Sequence, residues 1–521
     1  VNLVDKYYEV MNPEKALRRE AARLRLDMTK QMKVMNSGYD ESGASRKKKS
    51  MRGWNAESKN AFEDIDMNLD LLRQRSRSLF MNAPIATSAI KTTRTNVVGA
   101  GLRLKSRIDF SVLGMTQEVA DTWEKKVEQE FNLWAESKFC DTTGLNNFYE
   151  LQQVAMMAWL LNGDSFAAIR HTDPKWYMPY GLKLQLIESD RVCNPQSGVG
   201  YVDANAKAQN GNMLLNGVEV NGFGQVMAYH ICNSNPRSRQ LKKEWNRVVA
   251  IGEKTGLPNI LHVMEAERPE QYRGVPYLAP VIESLKQLTR YTEAELMAAV
   301  INGFFTVFIK TDSPEDTDED FAGVNQESQV GGETPDYRLG PGQINLLAPG
   351  ESIEIADAKR PNVNFDGFVS SMCKYIGAAL EIPYEVLIKS FTASYSASRA
   401  ALLESWKAFK MRRNWFASDF CQPVYEIWLS EAVAIGRVKA PGFFIDPMIR
   451  KAYCRAEWNG PAPGQLDPVK EVNAAAKRIE LGVSTREREA IEINGSDFDR
   501  NVEQLVLETK KMNELKQKEG E

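Results

Sequence analysis

Between Ser398 and Leu429 the residues Leu402, Trp406, Phe409, Phe416, Phe420 and Ile427 recur at spacings of three, four and seven, and this stripe constrains the fold more than any other feature. It reads as one helix of about nine turns whose aromatic side needs a core to bury it. Ser394, Ser396 or Ser398 can cap its start, and Pro423 should kink it by removing a backbone donor. A chain of 521 residues, 43% of them hydrophobic, can supply such a core and still divide into several domains.

Further helices are predicted over 13–35 (Leu17, Leu24, Met28, Met32), over 60–96 with Arg73, Arg75 and Arg77 before Pro84, over 117–136 and over 147–161. Residues 280–302 have Pro280 in the first turn and apolar Val281, Leu285, Leu288, Leu296 and Ala299. They predict a helix of roughly 30 Å that Gly303 breaks. Residues 363–380 place Phe365, Phe368, Met372, Ile376 and Leu380 on one helical side, and two polar helices are expected over 467–481 and 485–518. Strands are expected at 165–170, 182–187, 225–231, 304–309 and 344–347, and Ile388 to Tyr395 reads as a polar loop. The fold class is therefore α+β and helix-rich. Residues 312–336 form an acidic insertion rich in Gly, Ser and Gln, and Arg46 to Lys49 end a basic loop that either touches nucleic acid or is simply solvated.

A formal net charge of -3 and a pI near 6.0 remove the argument that a basic protein holds nucleic acid by neutralising phosphates. The six cysteines form no Cys-x-x-Cys pair and the three histidines are dispersed, so neither a disulfide framework nor a metal site is expected. The longest apolar stretch, 296–309, is interrupted by Asn302 and Gly303 and is too short for a membrane span. No secretory signal is recognisable, and synthesis in the cytosol is expected.

Four fragments imitate enzymes. Gly99-Ala100-Gly101 has Leu104 where a dinucleotide fingerprint needs its third glycine, and Gly252 to Thr255 has Glu253 and Val248 where a phosphate loop needs glycines. Along one extended run Ser165 and His171 would stand about 20 Å apart, beyond any Ser-His hydrogen bond. The acids of 312–336 have no rigid frame to fix a metal. No catalytic residue, cofactor or metal ligand is assigned.

Six phrases stand in order along the chain: Leu184 to Arg191; Gly217-Val218-Glu219 with Gly224 to His230; Arg273-Gly274-Val275-Pro276-Tyr277-Leu278-Ala279-Pro280; Arg360 to Phe368; Ala378 to Leu387; and Tyr395-Ser396-Ala397-Ser398-Arg399-Ala400-Ala401-Leu402. Together they resemble the lambda-type family of tailed-phage portal proteins, the head-tail connectors, from about residue 70 to 510. The resemblance implies a ring of about twelve subunits at one capsid vertex, closed by head-to-tail contacts. In each subunit it implies an N-terminal arm (1–79), a wing (80–279), a first stem helix (280–303), a clip (304–359), a second stem helix (360–381), a tunnel loop (382–397), a long kinked helix (398–432), a return to the wing (433–464) and a crown (465–521).

It also implies partners: double-stranded DNA in the channel, the terminase large subunit, major capsid and scaffold proteins, and head-tail adaptor proteins, with no membrane. The expected place is the virion, after assembly in the host cytoplasm. Lys389, Ser390, Phe391 and Thr392 of the tunnel loop and Lys374, Lys286 and Arg290 of the stem are the candidate DNA-channel residues. Each cation has plain solvated surface as its alternative, and Phe391 has packing against a neighbouring subunit. Rival readings are another virion ring such as a head-tail adaptor, which is usually much smaller, and a metal-dependent nuclease, which needs a constellation of His, Asp and Glu.

Overall fold

The computed structural model describes residues 11–35, 48–51, 53–54, 56–195, 206–238, 242–303, 307–311, 351–355, 364–391, 394–464 and 467–519. The chain divides into two compact units, 1–60 and 61–521. The first holds helix α1 (Pro13–Met35), on the residues where the apolar spacing predicts it, with Leu17, Leu24 and Met28 exposed. Arg46 and Lys47 of the basic loop lie outside the described residues, and Lys48 and Lys49 are exposed.

The second unit opens with a π-helical turn, Phe62–Asp66, running into α2 (Met67–Asn82) and, after a break at Ala83, α3 (Pro84–Val97) with Pro84 in its first turn. Next come β1 (Arg103–Ser106), the short α4 (Phe110–Leu113), α5 (Gln117–Ala135) and α6 (Phe148–Asn162), which starts on a capping box between Asn147 and Glu150. Gly163, at φ 89°, ends α6 and turns the chain into β2 (Asp164–His171). β3 (Leu182–Ile187), β4 (Met213–Leu215), β5 (Val218–Val220), β6 (Val226–Cys232), β7 (Trp245–Val249) and β8 (Ile260–Met264) follow. They build two antiparallel sheets, β3-β2-β8 and the meander β4-β5-β6-β7.

Beyond them lie α7 (Ile282–Gly303), the antiparallel pair β9 (Val307–Thr311) and β10 (Glu351–Ile355), α8 (Phe365–Ala379), the short α9 (Tyr384–Ile388) and α10 (Tyr395–Phe416). A second π-helical turn, Ala417–Cys421, joins α10 to α11 (Gln422–Ala434). The chain closes with α12 (Pro447–Tyr453), β11 (Ala456–Asn459), α13 (Pro468–Glu480), α14 (Arg486–Asn494) and α15 (Phe498–Glu519).

The aromatic stripe does what its spacing demands. Trp406, Phe409, Phe416, Phe420 and Ile427 are buried, and Phe131 of α5 stands edge-on to Phe148, Tyr425 and Trp428 at 5.1 to 5.8 Å between centroids. Arg413 of α10 donates to the carbonyls of Asn96 and Val97, capping α3 and fixing the long helix against it. Ser394 is the cap of α10, its hydroxyl accepting from the amide of Ala397. A π-helical turn lies just before Pro423, which has no amide to donate: the amide of Gln422 bonds back to the Ala417 carbonyl.

Several expectations need correction. Val281, Leu285 and Leu288 are buried in the main core, but Leu296 and Ala299 of the same expected stripe are exposed, because they lie on the outer half of α7, beyond the turns that enter that core. Gly303 lies inside the last turn of α7, and the strand expected at 304–309 is β9 at Val307–Thr311. The single polar helix expected over 485–518 is two, since Gly495 at φ 73° ends α14. The polar loop Ile388 to Tyr395 begins inside α9 and ends inside α10. The strand expected at 344–347 and the whole acidic insertion, 312–336, lie outside the described residues.

Candidate functional site

The cations expected along a channel sit on α7, α8 and the segment after α9. Lys286 and Arg290 are exposed on α7, and neither has an ion-pair partner among the described residues. Just beyond them α7 meets α8, where Tyr291 stacks on Phe365 (5.6 Å) and stands edge-on to Phe368 (4.7 Å). From there α7 presents Leu296 (68% exposed), Met297 and Val300 to the surface, and α8 presents Phe368 and Tyr375. Lys374 of α8 lies 5.4 Å from the centroid of the Tyr384 ring, at the edge of a cleft of about 540 Å³ that Glu381, Glu404, Lys407 and Met411 also line.

Two left-handed residues frame α9. Glu381 has φ 54° and closes α8 as the amide of Ile382 bonds back to the Gly377 carbonyl. Lys389 has φ 57° and ends α9, with the Ser390 amide on the Glu385 carbonyl. A non-glycine residue there costs roughly 1 kcal/mol, so both positions are held by what surrounds them. Arg412 of α10 pairs with Glu381 (2.6 Å), the Tyr277 hydroxyl donates to the Leu380 carbonyl, and the Ser88 hydroxyl donates to the Leu387 carbonyl (2.6 Å). Lys389 is thereby exposed, Ser390 half-buried and Phe391 52% exposed, while Thr392 lies outside the described residues. No described hydrogen bond, ion pair or ring contact joins Lys286 or Arg290 to this segment.

The root of α7 is held by a buried ionic cluster that the sequence reading missed. Asp164, fully buried at the start of β2, accepts from Arg73 of α2 (3.0 and 3.1 Å) and from Arg273 (2.6 Å). Arg273 also donates to the carbonyls of Val192 (2.8 Å), Ser189 (3.0 Å) and Asn216, and its guanidinium lies over the Phe166 ring. Arg77, one turn from Arg73, donates to the Asn162 side chain (2.7 Å) and to Asp190 (2.6 Å). The two guanidinium groups hold the Asp164 carboxyl far below the usual carboxylate range, and burial draws Arg73 down to about 10. Beside the cluster Gly163 and Gly274 touch backbone to backbone: a Cβ on Gly274 would stand 1.8 Å from the Gly163 carbonyl oxygen. A second cluster ties the meander together, with Glu219 of β5 taking a bidentate pair from Arg247 of β7 (2.6 and 2.9 Å) and facing His230 of β6 at 3.1 Å.

Asp66, in the π-helical turn, is 2% exposed, and its Oδ1 has no hydrogen-bond partner among the described residues. Burial raises its carboxyl from 3.8 to about 6, against the pull of Arg273 and Arg73. The fold thus favours the protonated form: the cost of holding the charge is absent below about pH 4 and complete above about pH 7. Asp66→Asn is expected to raise unfolding stability at pH 8 by about 3 kcal/mol and to change it little at pH 4, as denaturant titrations at the two pH values will read.

Three of the four enzyme-like fragments dissolve in the same geometry, and the acids of 312–336 lie outside the described residues. Gly99 to Gly101 turn a helix into a strand, the reverse of a dinucleotide site, and Ser165 and His171 lie on one strand. Gly252 to Thr255 turn the chain between β7 and β8. Among the described residues no group of three or more His, Cys, Asp and Glu could hold a metal ion, and no helix is long and apolar enough to cross a membrane.

A family model described as phage portal protein, lambda family, matches residues 47–413. The chain belongs to that family. The portal protein of Escherichia phage N15 and portal protein B of Escherichia phage lambda are each 27% identical to it over 478 residues, covering 88% of this chain and 87% of theirs. A probable portal protein of Halomonas phage phiHAP-1 is 25% identical over 423 residues, covering 79% and 74%. Among solved structures, a chain from the virion of a native gene transfer agent particle aligns with a TM-score of 0.46 at 11% identity, over 82% of this chain and 94% of that one. A chain from the neck of that particle, computed with C12 symmetry, aligns at 0.41 and 13%, over 81% and 94%.

Four of the portal-like phrases turn out to be joints. Arg273-Gly274 is the cluster and close approach at the root of α7, Ser189 and Asp190 are its partners, Glu219 and His230 bind the meander, and Ala378 to Leu387 form the junction of α8 with α9.

Proposed function

We infer that the chain is one subunit of a portal ring at a capsid vertex of a tailed phage, a non-enzymatic conduit for double-stranded DNA. The observation that carries this reading is the pairing of α7 with α8, buried at its root and with Leu296, Met297 and Val300 exposed beyond Tyr291, as a stem packed side by side with neighbouring copies requires. On this reading α7 and α8 are the stem, 304–359 between them the clip, 382–397 the tunnel loop, α10 and α11 the helix crossing the wing of 80–279 and 433–464, and 465–521 the crown. The subunit number is about twelve. The clip docks the terminase large subunit, which hydrolyses the ATP; capsid and scaffold proteins surround the ring during assembly in the host cytoplasm; and head-tail adaptor proteins bind later.

The charge distribution supports a conduit. Beside a stem of roughly 30 Å a duplex presents about eighteen phosphate charges, and a wall dense in Lys and Arg would hold it by counterion release. A few exposed cations, Lys286, Arg290, Lys374 and Lys389, centre the duplex and leave it free to slide, with Ser390, Phe391 and Thr392 completing the loop.

Mass photometry and negative-stain imaging of the purified protein test the ring. Closed rings of about eleven to thirteen subunits with an axial hole are expected; a monomer or dimer that persists with scaffold protein present removes the portal-ring reading. Within a ring, Lys389→Glu is expected to slow packaging, and an unchanged rate and packaged length take Lys389 off the DNA-contact surface.

A further inference from the structure

Charge is unevenly divided between the two units. The first 60 residues carry 14 Lys and Arg against 8 Asp and Glu, which leaves 52 against 61 for the rest. A near-neutral chain is thus a basic arm joined to an acidic body. The family match starts at residue 47, so most of this arm lies outside the matched residues.

The arm gathers its cations by its helical phase. Along α1, Lys15, Arg19 and Arg23 follow one another at spacings of four and share one side, while Leu17, Ala21, Leu24 and Met28 fall on the other. All three cations are exposed, and the exposed Lys48 and Lys49 lie further along the same unit.

We propose that this arm binds the phosphate backbone of double-stranded DNA without regard to sequence, a contact separate from the channel wall. The inference rests on the portal reading, which makes a duplex the polyanion at hand. From Lys15 to Arg23 the helix rises about 12 Å, a length over which a duplex presents about seven phosphate charges. One arm of this kind binds weakly. Copies repeated around a ring raise the effective concentration of every further contact once the first is made. The division of charge fits the two tasks: an acidic body lets the duplex slide, and a basic arm gives it an attachment that salt and motion can release.

Fluorescence anisotropy of the full-length protein with a short duplex of random sequence, over a series of salt concentrations, tests the proposal, with mass photometry on the same samples. The triple variant Lys15→Glu, Arg19→Glu, Arg23→Glu is expected to bind at least about tenfold more weakly near 0.1 M salt, and to flatten the dependence of log affinity on log salt by about 3. The variant Lys15→Arg, Arg19→Lys, Arg23→Lys keeps every charge and is expected to bind as the natural chain does. Equal affinity of the charge-reversed and natural proteins overturns the proposal. So does binding of the natural protein to phosphatidylserine vesicles with none to the duplex, which assigns the basic helix to a membrane surface. A sample that stays without rings when scaffold protein is present removes the portal-ring reading instead, and the affinity comparison still decides the arm.

Discussion

Arg273→Ala is expected to lower stability by about 3 to 5 kcal/mol, the loss that follows when one partner of a fully buried ion pair is removed. Asp164 would keep Arg73 as its one close arginine, and the carbonyls of Val192, Ser189 and Asn216 would each lose a donor inside the protein. Arg273→Lys is expected to recover little, because an ammonium cannot serve a carboxylate and three diverging carbonyls as the guanidinium fork does. Equilibrium denaturation reads the loss, and limited proteolysis near 265–280 locates it. An Arg273→Ala protein as stable as the natural one would mean that the cluster does not hold the root of α7.

Gly274→Ala is expected to cost more than about 3 kcal/mol or to leave the protein insoluble, and the cause is steric alone. The added Cβ would meet the Gly163 carbonyl oxygen at 1.8 Å, backbone against backbone, so no side chain can swing aside. Moving that peptide also displaces Asp164, the next residue, from both arginines. Gly482→Ala is the control: φ there is +69° with nothing within 4 Å of the added atom, so only the left-handed conformation is penalised, by about 1 kcal/mol. If the two variants melt alike, the close approach at Gly163 and Gly274 carries no weight.

What the sequence discloses follows the range of the forces involved. The helices are legible because their evidence is local: apolar spacing for α7, α8, α10 and α11, Pro84 for the start of α3, Ser394 for the cap of α10. β1 and β11 are not legible. Each has four residues, and they become strands only by pairing across some 350 positions, Arg103 opposite Asn459. The candidate channel residues are half legible, since Lys389 and Phe391 are exposed as expected while the left-handed turns that present them come from the packing of α9 against α3 and α10.

Asp164 is the largest omission, because Arg73 and Arg273 stand 91 and 109 residues away from it. One trace was present: Arg73 and Arg77 lie one turn apart on a helix whose Leu69 and Ser76 are also buried, a placement for arginine that calls for an acid opposite.

The π-helical turn at Ala417–Cys421 makes the long aromatic helix a shaft in two phases. An α-helix turns about 100° per residue, so one residue taken up in a wide turn rotates everything downstream by that angle relative to an unbroken helix. Tyr425 and Trp428 meet Phe131 with that offset in place. Deleting one residue from the turn would straighten the shaft and swing both rings away from Phe131, although the composition of the helix would hardly change. A chimera joined between Phe416 and Gln422 must therefore match its donor in residue count as well as in aromatic pattern, because the extra residue keeps the two halves in step.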